Sequence, residues 1–387
     1  MTDALRSLLA PEHELFRAAV REFVRREVAP HQERWDEQRL IDRGTWLEAG
    51  KQGLLGIAVP AALGGGGVAD FRFRVVVMEE LARVGAAALQ SSFSLQDDIV
   101  LPYLLDLGTP DQHERWVRGA CSGELIGAIA MTEPGAGSDL QGITTTARRD
   151  GESYVLDGSK TFITSGVQAD FVIVVARTDP ASGSKGLTLL VVETGTPGFT
   201  RGRKLAKVGL HAQDTAELFF SDCRVPAANV LGTVGGGFGH LMERLPLERL
   251  ALAVASVAAS RAALAWTVEH VRERQAFGGP LAGQQTVQFT LAELATEIDV
   301  TQAYVDAAVV AWNAGRLSSV AAAKAKWWAT DVHKRVVDRC LQLHGGYGYM
   351  TEYPIARAYL DARVQSIYGG ANEVMKLIIG RDLVGRP

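Results

Sequence analysis

Between Pro11 and about Val28, apolar side chains recur at helical spacing (Leu15, Ala19, Phe23) with charges on the opposite face, until Pro30 ends the run. Trp46 to Leu55, Phe71 to Val84 and Ile99 to Leu107 repeat the pattern, so the N-terminal third reads as helical. From Tyr154 the period shortens. Tyr154-Val155-Leu156, Phe171 to Val175, Leu187 to Val192 and Ala216 to Phe220 are short β-rich runs separated by turns, which predict an antiparallel sheet. Asp157-Gly158, between Leu156 and Lys160, is a hairpin signal. After Gly235-Gly236-Gly237 the helical period returns: Gly239 to Gln275, interrupted by Pro246, then Gln285 to Trp312, Ser318 to Leu343 and about Ala371 to Leu383. The first of these would span roughly 50 Å. The second carries Val287, Leu291, Leu294, Ile298 and Val305 on one stripe. The predicted fold is α+β: an N-terminal α-helical domain (1-126), a middle antiparallel β-barrel or sandwich domain (127-234) and a C-terminal four-helix bundle (235-387).

At 387 residues and 47% hydrophobic, the chain is long enough for more than one core. A net charge of −4, without a basic run interleaved with aromatics, removes the electrostatic case for nucleic acid. No uncharged apolar run reaches about 18 residues, and the first thirty residues mix acidic and basic side chains, so neither a membrane span nor a signal peptide is expected. Cys121, Cys223 and Cys340 are odd in number and far apart, which argues against a disulfide framework or a metal centre. A soluble, cytoplasmic protein with reduced core thiols is the expectation.

The chemistry concentrates first in Met131-Thr132-Glu133-Pro134-Gly135-Ala136-Gly137-Ser138-Asp139. Proline and two glycines exclude helix and strand there, free backbone amides for a ligand, and allow angles other residues avoid, while Thr132 and Ser138 add hydroxyls. Gly64 to Gly67 lacks the preceding strand and following lysine of a phosphate loop and reads as a flexible connection; Gly158-Ser159-Lys160-Thr161 resembles only the tail of a Walker motif. Asp97 and Asp98 read as a solvated helix N-terminus favoured by the helix dipole, the alternative being a site role.

Five blocks in this order resemble the acyl-CoA dehydrogenases: Met131 to Asp139, Lys160-Thr161-Phe162-Ile163-Thr164-Ser165-Gly166, Arg274-Gln275-Ala276-Phe277-Gly278, Gln342-Leu343-His344-Gly345-Gly346-Tyr347-Gly348 and Ile367-Tyr368-Gly369-Gly370. Gly209 to Phe220 and Leu341 to Glu373 are most similar to the long-chain subgroup. The resemblance implies FAD. Met131 and Thr132 would meet the polar edge of the flavin, with Phe162, Ile163 and Thr164 on its other side. Arg274, Phe277 and Gln285 would reach the diphosphate and adenosine half, and Gln342, Leu343, Gly345 and Gly346 would do so across a subunit boundary, with Ala371 and Glu373 near the flavin from the last helix. An arginine fork suits a diphosphate, and glycines admit close backbone approach.

The same resemblance implies removal of hydrogen across Cα and Cβ of an acyl thioester, which needs a carboxylate for the α proton, a hydride acceptor and donors for the enolate-like oxygen. Most of the family places the base in a Tyr-Glu-Gly-Thr block, but here Tyr368 is followed by Gly369, Gly370 and Ala371. A minority carries it on the long helix in a Glu-Arg-Leu block, and Glu248-Arg249-Leu250 is that block. Glu248 is therefore the expected base, with Gly369 leaving room for its carboxylate and giving its amide to the thioester oxygen. Ser138, Arg249, Tyr368 and Gly370 are the expected substrate contacts, and Ala371 departs from the usual threonine. The implied partners are an acyl-CoA or acyl-carrier-protein thioester, an electron-transferring flavoprotein and further copies of the chain in a homotetramer. A same-fold oxidase or monooxygenase, or a binding protein that has lost its base, are the alternatives.

Overall fold

The computed structural model describes residues 6–385. Helix α1 (Pro11–Phe23) starts with a proline and with Glu12 and Glu14 in the first turn, where both suit the open amides of a helix start. Pro30 does not stop the chain there. The backbone passes through a π turn (Val24–Val28) and a 3-10 turn (Ala29–His31) into α2 (Gln32–Gln38); Pro30 lies in the first turn of the 3-10 segment, where its missing N–H breaks no helical bond. Next come α3 (Arg43–Lys51) and α4 (Arg72–Arg83). Their connection is pinned rather than flexible: Gly66 N donates to Gly56 O at 3.0 Å and Gly67 N to Val59 O at 2.8 Å.

Helix α5 (Ala87–Ser94), a π turn (Leu95–Val100) and α6 (Leu101–Leu107) run on from one another. Only the last stretch was legible, because Ser91, Ser92, Ser94, Gln96, Asp97 and Asp98 interrupt the apolar period before it. Two short helices, α7 (Pro110–Gln112), opened by a Thr109/Gln112 capping box, and α8 (Arg118–Ser122), complete the helical third.

Strands β1 (Gly127–Ala130), β2 (Thr146–Asp150), β3 (Ser153–Thr164), β4 (Phe171–Arg177), β5 (Leu187–Glu193), β6 (Phe199–Lys204), β7 (Thr215–Pro226) and β8 (Val230–Leu231) form one sheet in the order β6-β7-β3-β2-β4-β5-β8, with β1 also on β4. The sheet is mixed, not antiparallel throughout, because β1 and β2 pair with β4 in parallel. Side-chain alternation carries no strand direction. The expected hairpin at Asp157-Gly158 is instead a bulge within β3, where the register against β7 slips. Gly158 takes φ +149, and a Cβ on it would lie 2.5 Å from Thr145 Oγ1. The real turn is one strand earlier, where Asp150 pairs with Ser153. Both faces of β4 are covered: Phe171, Ile173 and Val175 pack on Tyr103, Leu104, Trp116 and Leu241, while Val172, Val174 and Ala176 pack on Tyr154, Leu156 and Phe220.

Helix α9 (Gly237–Glu273) leads to a small hairpin of β9 (Gln275–Ala276) and β10 (Gly279–Pro280), then to α10 (Gln285–Asn313), α11 (Ser319–His344), α12 (Pro354–Ala362) and α13 (Asn372–Val384). Helices α9, α10 and α11 pack on one another, α13 lies on α11, and α4 of the N-terminal third also packs on α9. Helix α12 was not expected. Helix α9 is long and apolar enough to cross a membrane by length and hydropathy, but 67% of the qualifying window is buried inside the protein, as befits a core helix.

Candidate active site

Glu248 lies on α9, two residues after Pro246, and is 5% exposed. Burial pushes its carboxyl up to about 7, against the pull of a Tyr103 hydrogen bond and of Arg249. Tyr103, on α6, donates from Oη to Glu248 Oε1 at 3.3 Å. Arg249 is buried as well; its Nη1 donates to Ser319 Oγ at 3.1 Å, and burial lowers its pKa while Glu248 opposes the shift. A buried carboxylate with a near-neutral pKa is what a general base needs.

The segment before α13 lies against the same helix. Gly369 takes φ +61 and Gly370 φ +89, angles that L side chains rarely adopt. A Cβ on Gly369 would lie 2.3 Å from Leu252 Cδ1, one helical turn beyond Glu248. Leu252, rather than the Glu248 carboxylate, thus fills the room that the glycine leaves. Lys326, fully buried on α11, donates to Gly370 O at 2.7 Å and Asn372 Oδ1 at 3.0 Å. Burial, with Arg249 nearby, brings its pKa down to about 7. Tyr368 is hydrogen-bonded to Ser91 of α5, and burial pushes its phenol up to about 12. Sequence reasoning missed Tyr103 and Lys326. The first looks like one more apolar position of α6, and the second sits among Ala322, Ala323, Ala325 and Ala329 without a motif.

The loop from Met131 closes a turn in which Glu133 and Ala136 exchange both backbone hydrogen bonds, at 2.8 and 3.1 Å. Gly135 and Gly137 do not use their special angles, since neither has a positive φ. Beneath the turn Lys160 donates to Met131 O at 3.0 Å and Glu133 Oε1 at 2.8 Å, and Glu133 also accepts from Thr144 and Thr145. Burial resists ionisation of Glu133, yet the bonds from Lys160 and Thr145 outweigh it and bring the carboxyl down to about 2. This buried pair settles the Walker-like tetrapeptide: Lys160 serves the loop and faces no phosphate.

Thr161 N donates to Thr132 O at 2.9 Å, which sets Met131 and Thr132 beside Phe162, Ile163 and Thr164. Phe162 has φ +59 and is 68% exposed, Thr164 is half-buried, and Ile163 points into the sheet core, leaving only its backbone for a ligand. Ser138 is exposed, and a Cβ at Gly135 or Gly137 would meet nothing within 4 Å. An exposed, strained aromatic beside an anchored loop with open glycines fits the face of a planar flavin.

The remaining residues expected to serve the cofactor form a second cluster. Phe277 (φ +52, 90% exposed) and Gly278 (φ +86) turn the β9/β10 hairpin, Arg274 caps α9 with its guanidinium 5.5 Å from the Tyr347 ring, and Gln285 opens α10. His270 stacks on His344 at 4.1 Å and meets Tyr347 edge-on. Gln342, Gly345 and Gly346 are exposed beside this hairpin, with Leu343 half-buried. The donor set of an arginine, glutamines and open glycines fits a diphosphate and nucleoside. Ala371 is the N-cap of α13 and Glu373 lies in its first turn, exposed, where its charge acts on Lys326.

Asp97 and Asp98 are not a solvated helix start; they sit mid-rod in the π turn with side chains 3% and 2% exposed. Arg74 makes a two-point bond to Asp98 at 2.9 and 3.0 Å and lies 3.5 Å from Asp97, whose Oδ1 accepts from Gly56 N at 3.0 Å. Burial pushes Asp97 up to about 6, with Arg74 opposing. Both carboxylates thus have a cation. Among the described residues, no group of three or more His, Cys, Asp or Glu side chains could hold a metal ion.

Residues 10–124, 128–223 and 235–384 match the N-terminal, middle and C-terminal domains of acyl-CoA dehydrogenase. The long-chain specific acyl-CoA dehydrogenase of Sus scrofa, a mitochondrial protein by name, is 49% identical over 387 residues, covering 99% of this chain and 89% of that one. The crystal structure of an acyl-CoA dehydrogenase from Geobacillus kaustophilus matches with a TM-score of 0.95 at 49% identity, over 97% of this chain and 99% of that one. A glutaryl-CoA dehydrogenase from Mycobacterium smegmatis, solved in complex with FADH2, matches with a TM-score of 0.92 at 28% identity, over 98% and 96%. A buried glutamate of near-neutral pKa, a flavin-ready loop and three matched domains agree: the chain belongs to the acyl-CoA dehydrogenase family, FAD-dependent oxidoreductases that dehydrogenate acyl-CoA.

Proposed function

We propose that Glu248 is the base that takes the α proton of an acyl-CoA, giving the trans-2-enoyl thioester, and that the natural substrate is a long acyl chain. The observation that carries this reading is the Glu248 carboxyl, 5% exposed on α9 and hydrogen-bonded by Tyr103, where burial brings its pKa up to about 7. At neutral pH a useful fraction is ionised, and once protonated the group is stable in its dry setting. The Gly369 amide donates to the thioester oxygen as charge builds there, and Lys326 fixes the next peptide through Gly370 O. Arg249 keeps a positive charge beside the base, Tyr368 and Gly370 bound the thioester, and Ser138 contacts the pantetheine or phosphate arm. The chemistry supplied by FAD when bound is acceptance of the β-hydride at N5.

Met131, Thr132 and Phe162 to Thr164 hold the flavin in this reading. Arg274, Phe277, Gln285, Gln342, Leu343, Gly345 and Gly346 serve the diphosphate and nucleoside half; because Arg274 lies on Tyr347, hairpin and turn act as one unit offered to a second copy of the chain in a homotetramer. Ala371 and Glu373 close the flavin site from α13. The protein divides at residues 126 and 234, and an electron-transferring flavoprotein is the acceptor. Three buried, unpaired cysteines suit the reducing cytoplasm we assign to it.

The test is anaerobic mixing of the yellow holoprotein with acyl-CoA thioesters graded in length and branching, following flavin bleaching for wild type and Glu248→Gln. Bleaching by long chains that falls by about 10²–10⁴-fold in the variant is the expected result. Bleaching that survives in the variant would remove Glu248 as the base. Wild type that bleaches only with carrier-protein thioesters would replace CoA, and rapid oxygen consumption would favour an oxidase.

A further inference from the structure

The base does not stand alone on its helix. Helix α6 meets the start of α9 through two residues one turn apart, and both reach α9 residues one turn apart. Asp106 pairs with Arg244 at 3.1 Å, the Arg244 guanidinium sits 5.3 Å from the Tyr103 ring centroid, and Tyr103 Oη reaches Glu248 Oε1. Tyr103 is fully buried, whereas the Asp106 side chain is 61% exposed, so the contact runs from solvent to the carboxylate. Its outer end borders a surface hollow of about 220 Å³ lined by Pro102, Asp106, Glu243, Arg244, Leu247 and Trp312.

We propose that Tyr103 is a positioning residue for the base: its phenol holds one carboxylate oxygen of Glu248 before proton abstraction and accepts a hydrogen bond from the carboxyl afterwards. The inference rests on Glu248 being the base. A buried tyrosine hydroxyl needs a partner, and a glutamate side chain has rotamer freedom that must be removed for its carboxylate to face a Cα. A phenol serves both states because its oxygen both donates and accepts. When the Cα–H bond breaks and an O–H bond forms on Glu248, that O–H turns to the Tyr103 oxygen, so the proton stays on Glu248 through this step and leaves only when the base is regenerated after product release.

The electrostatic surroundings favour this role for Tyr103. The elements packed on α9 carry Asp106 on α6, Arg74 with Asp97 and Asp98 on α4 and the rod before α6, Lys326 on α11 and Tyr368 before α13; on α9 itself stand Arg244, with Glu243 3.5 Å from it, and Arg249. Asp106 is engaged by Arg244, the two aspartates by Arg74, Lys326 by Gly370 and Asn372, and Arg249 by Ser319. Tyr103 is the side chain hydrogen-bonded to Glu248 among the described residues. The Glu248 charge and burial also keep the phenol protonated, far from its own ionisation.

The experiment is Tyr103→Phe in the FAD-loaded, full-length protein, reading the single-turnover rate of flavin bleaching from pH 5.5 to 9.5. Loss of a donor to the charged form moves the acid limb up by about one pH unit, so the rate falls about tenfold at pH 6 and hardly at all at pH 9, with substrate affinity unchanged. The double variant Tyr103→Phe/Glu248→Gln adds nothing to Glu248→Gln, since no titrating carboxylate is left for the phenol to position. An equal loss at all pH values, or the same loss when Tyr103→Phe is added to Glu248→Gln, would overturn the proposal and leave Tyr103 a packing residue. Infrared titration of the Glu248 carboxyl in wild type and Tyr103→Phe reads the same shift without turnover. A wild type that bleaches and a Glu248→Gln that does not, beside an unshifted Tyr103→Phe, would defeat this inference alone; failure of Glu248→Gln to matter would defeat the assignment of the base.

Discussion

At the scale of single residues, burial decides what each ionisable group can do. Glu248 is raised from an ordinary 4.5 to about 7, so the fold favours its protonated form. That contribution is fully present below pH 4.5 and is lost as pH rises through 7. Glu248→Gln, neutral throughout, is therefore expected to leave stability at pH 5 close to wild type and to raise it by about 2–3 kcal/mol at pH 8. Denaturant midpoints at the two pH values check this; a difference that does not grow with pH would contradict the raised pKa. The Glu133 carboxyl has the opposite sign. Depressed to about 2, it stabilises the fold above its ordinary value and loses that contribution as pH falls through 2. The family resemblance, through the Glu-Arg-Leu block and the glycine in the usual place, pointed to Glu248 as the expected base. It did not show Tyr103, because a tyrosine in an apolar run reads as core until its hydroxyl finds a partner from another helix.

At the scale of elements, the site depends on how closely the Tyr368 to Asn372 segment can approach α9. Gly369→Ala brings both left-handed strain and a Cβ 2.3 Å from Leu252 Cδ1. A loss of about 2–4 kcal/mol in stability is expected, together with slower flavin bleaching, as the amide moves away from its proposed place against the thioester oxygen. Adding Leu252→Ala removes the clash but not the strain, so partial recovery in thermal denaturation of the double variant is the check; full recovery would show that the backbone angle contributes nothing. The misread elements share a cause. A glycine after an aspartate signals a hairpin by composition, but β3 uses Gly158 as a bulge because Thr145 of the neighbouring chain segment leaves no room for a Cβ. Likewise a proline read as a stop at position 30 is tolerated where a 3-10 turn begins.

At the scale of the whole molecule, the proposed cofactor site has two halves on one chain: the loop of the middle domain with Phe162, and the hairpin of the C-terminal domain with Arg274 and Phe277. Arg274→Ala is expected to lower FAD retention by about tenfold or more and to lower the thermal midpoint of the loaded protein more than that of the FAD-free protein. Flavin absorbance after gel filtration, with sedimentation to read the oligomer, tests this; an unchanged flavin content would detach the hairpin from the cofactor. The order of helical, sheet and helical thirds was legible in the sequence, because period and turn residues are local properties that the chain carries wherever it goes. The five motif blocks were legible for the same reason, since each is a run of neighbours. Long-range facts were not: that Arg74 neutralises Asp97 and Asp98, that β1 and β2 run parallel to β4, that Lys326 holds the Gly370 carbonyl and that Tyr103 meets Glu248. Sequence patterns record which residues face a core, whereas which partner stands opposite, and what pKa results, arises only when distant segments share the same dry space.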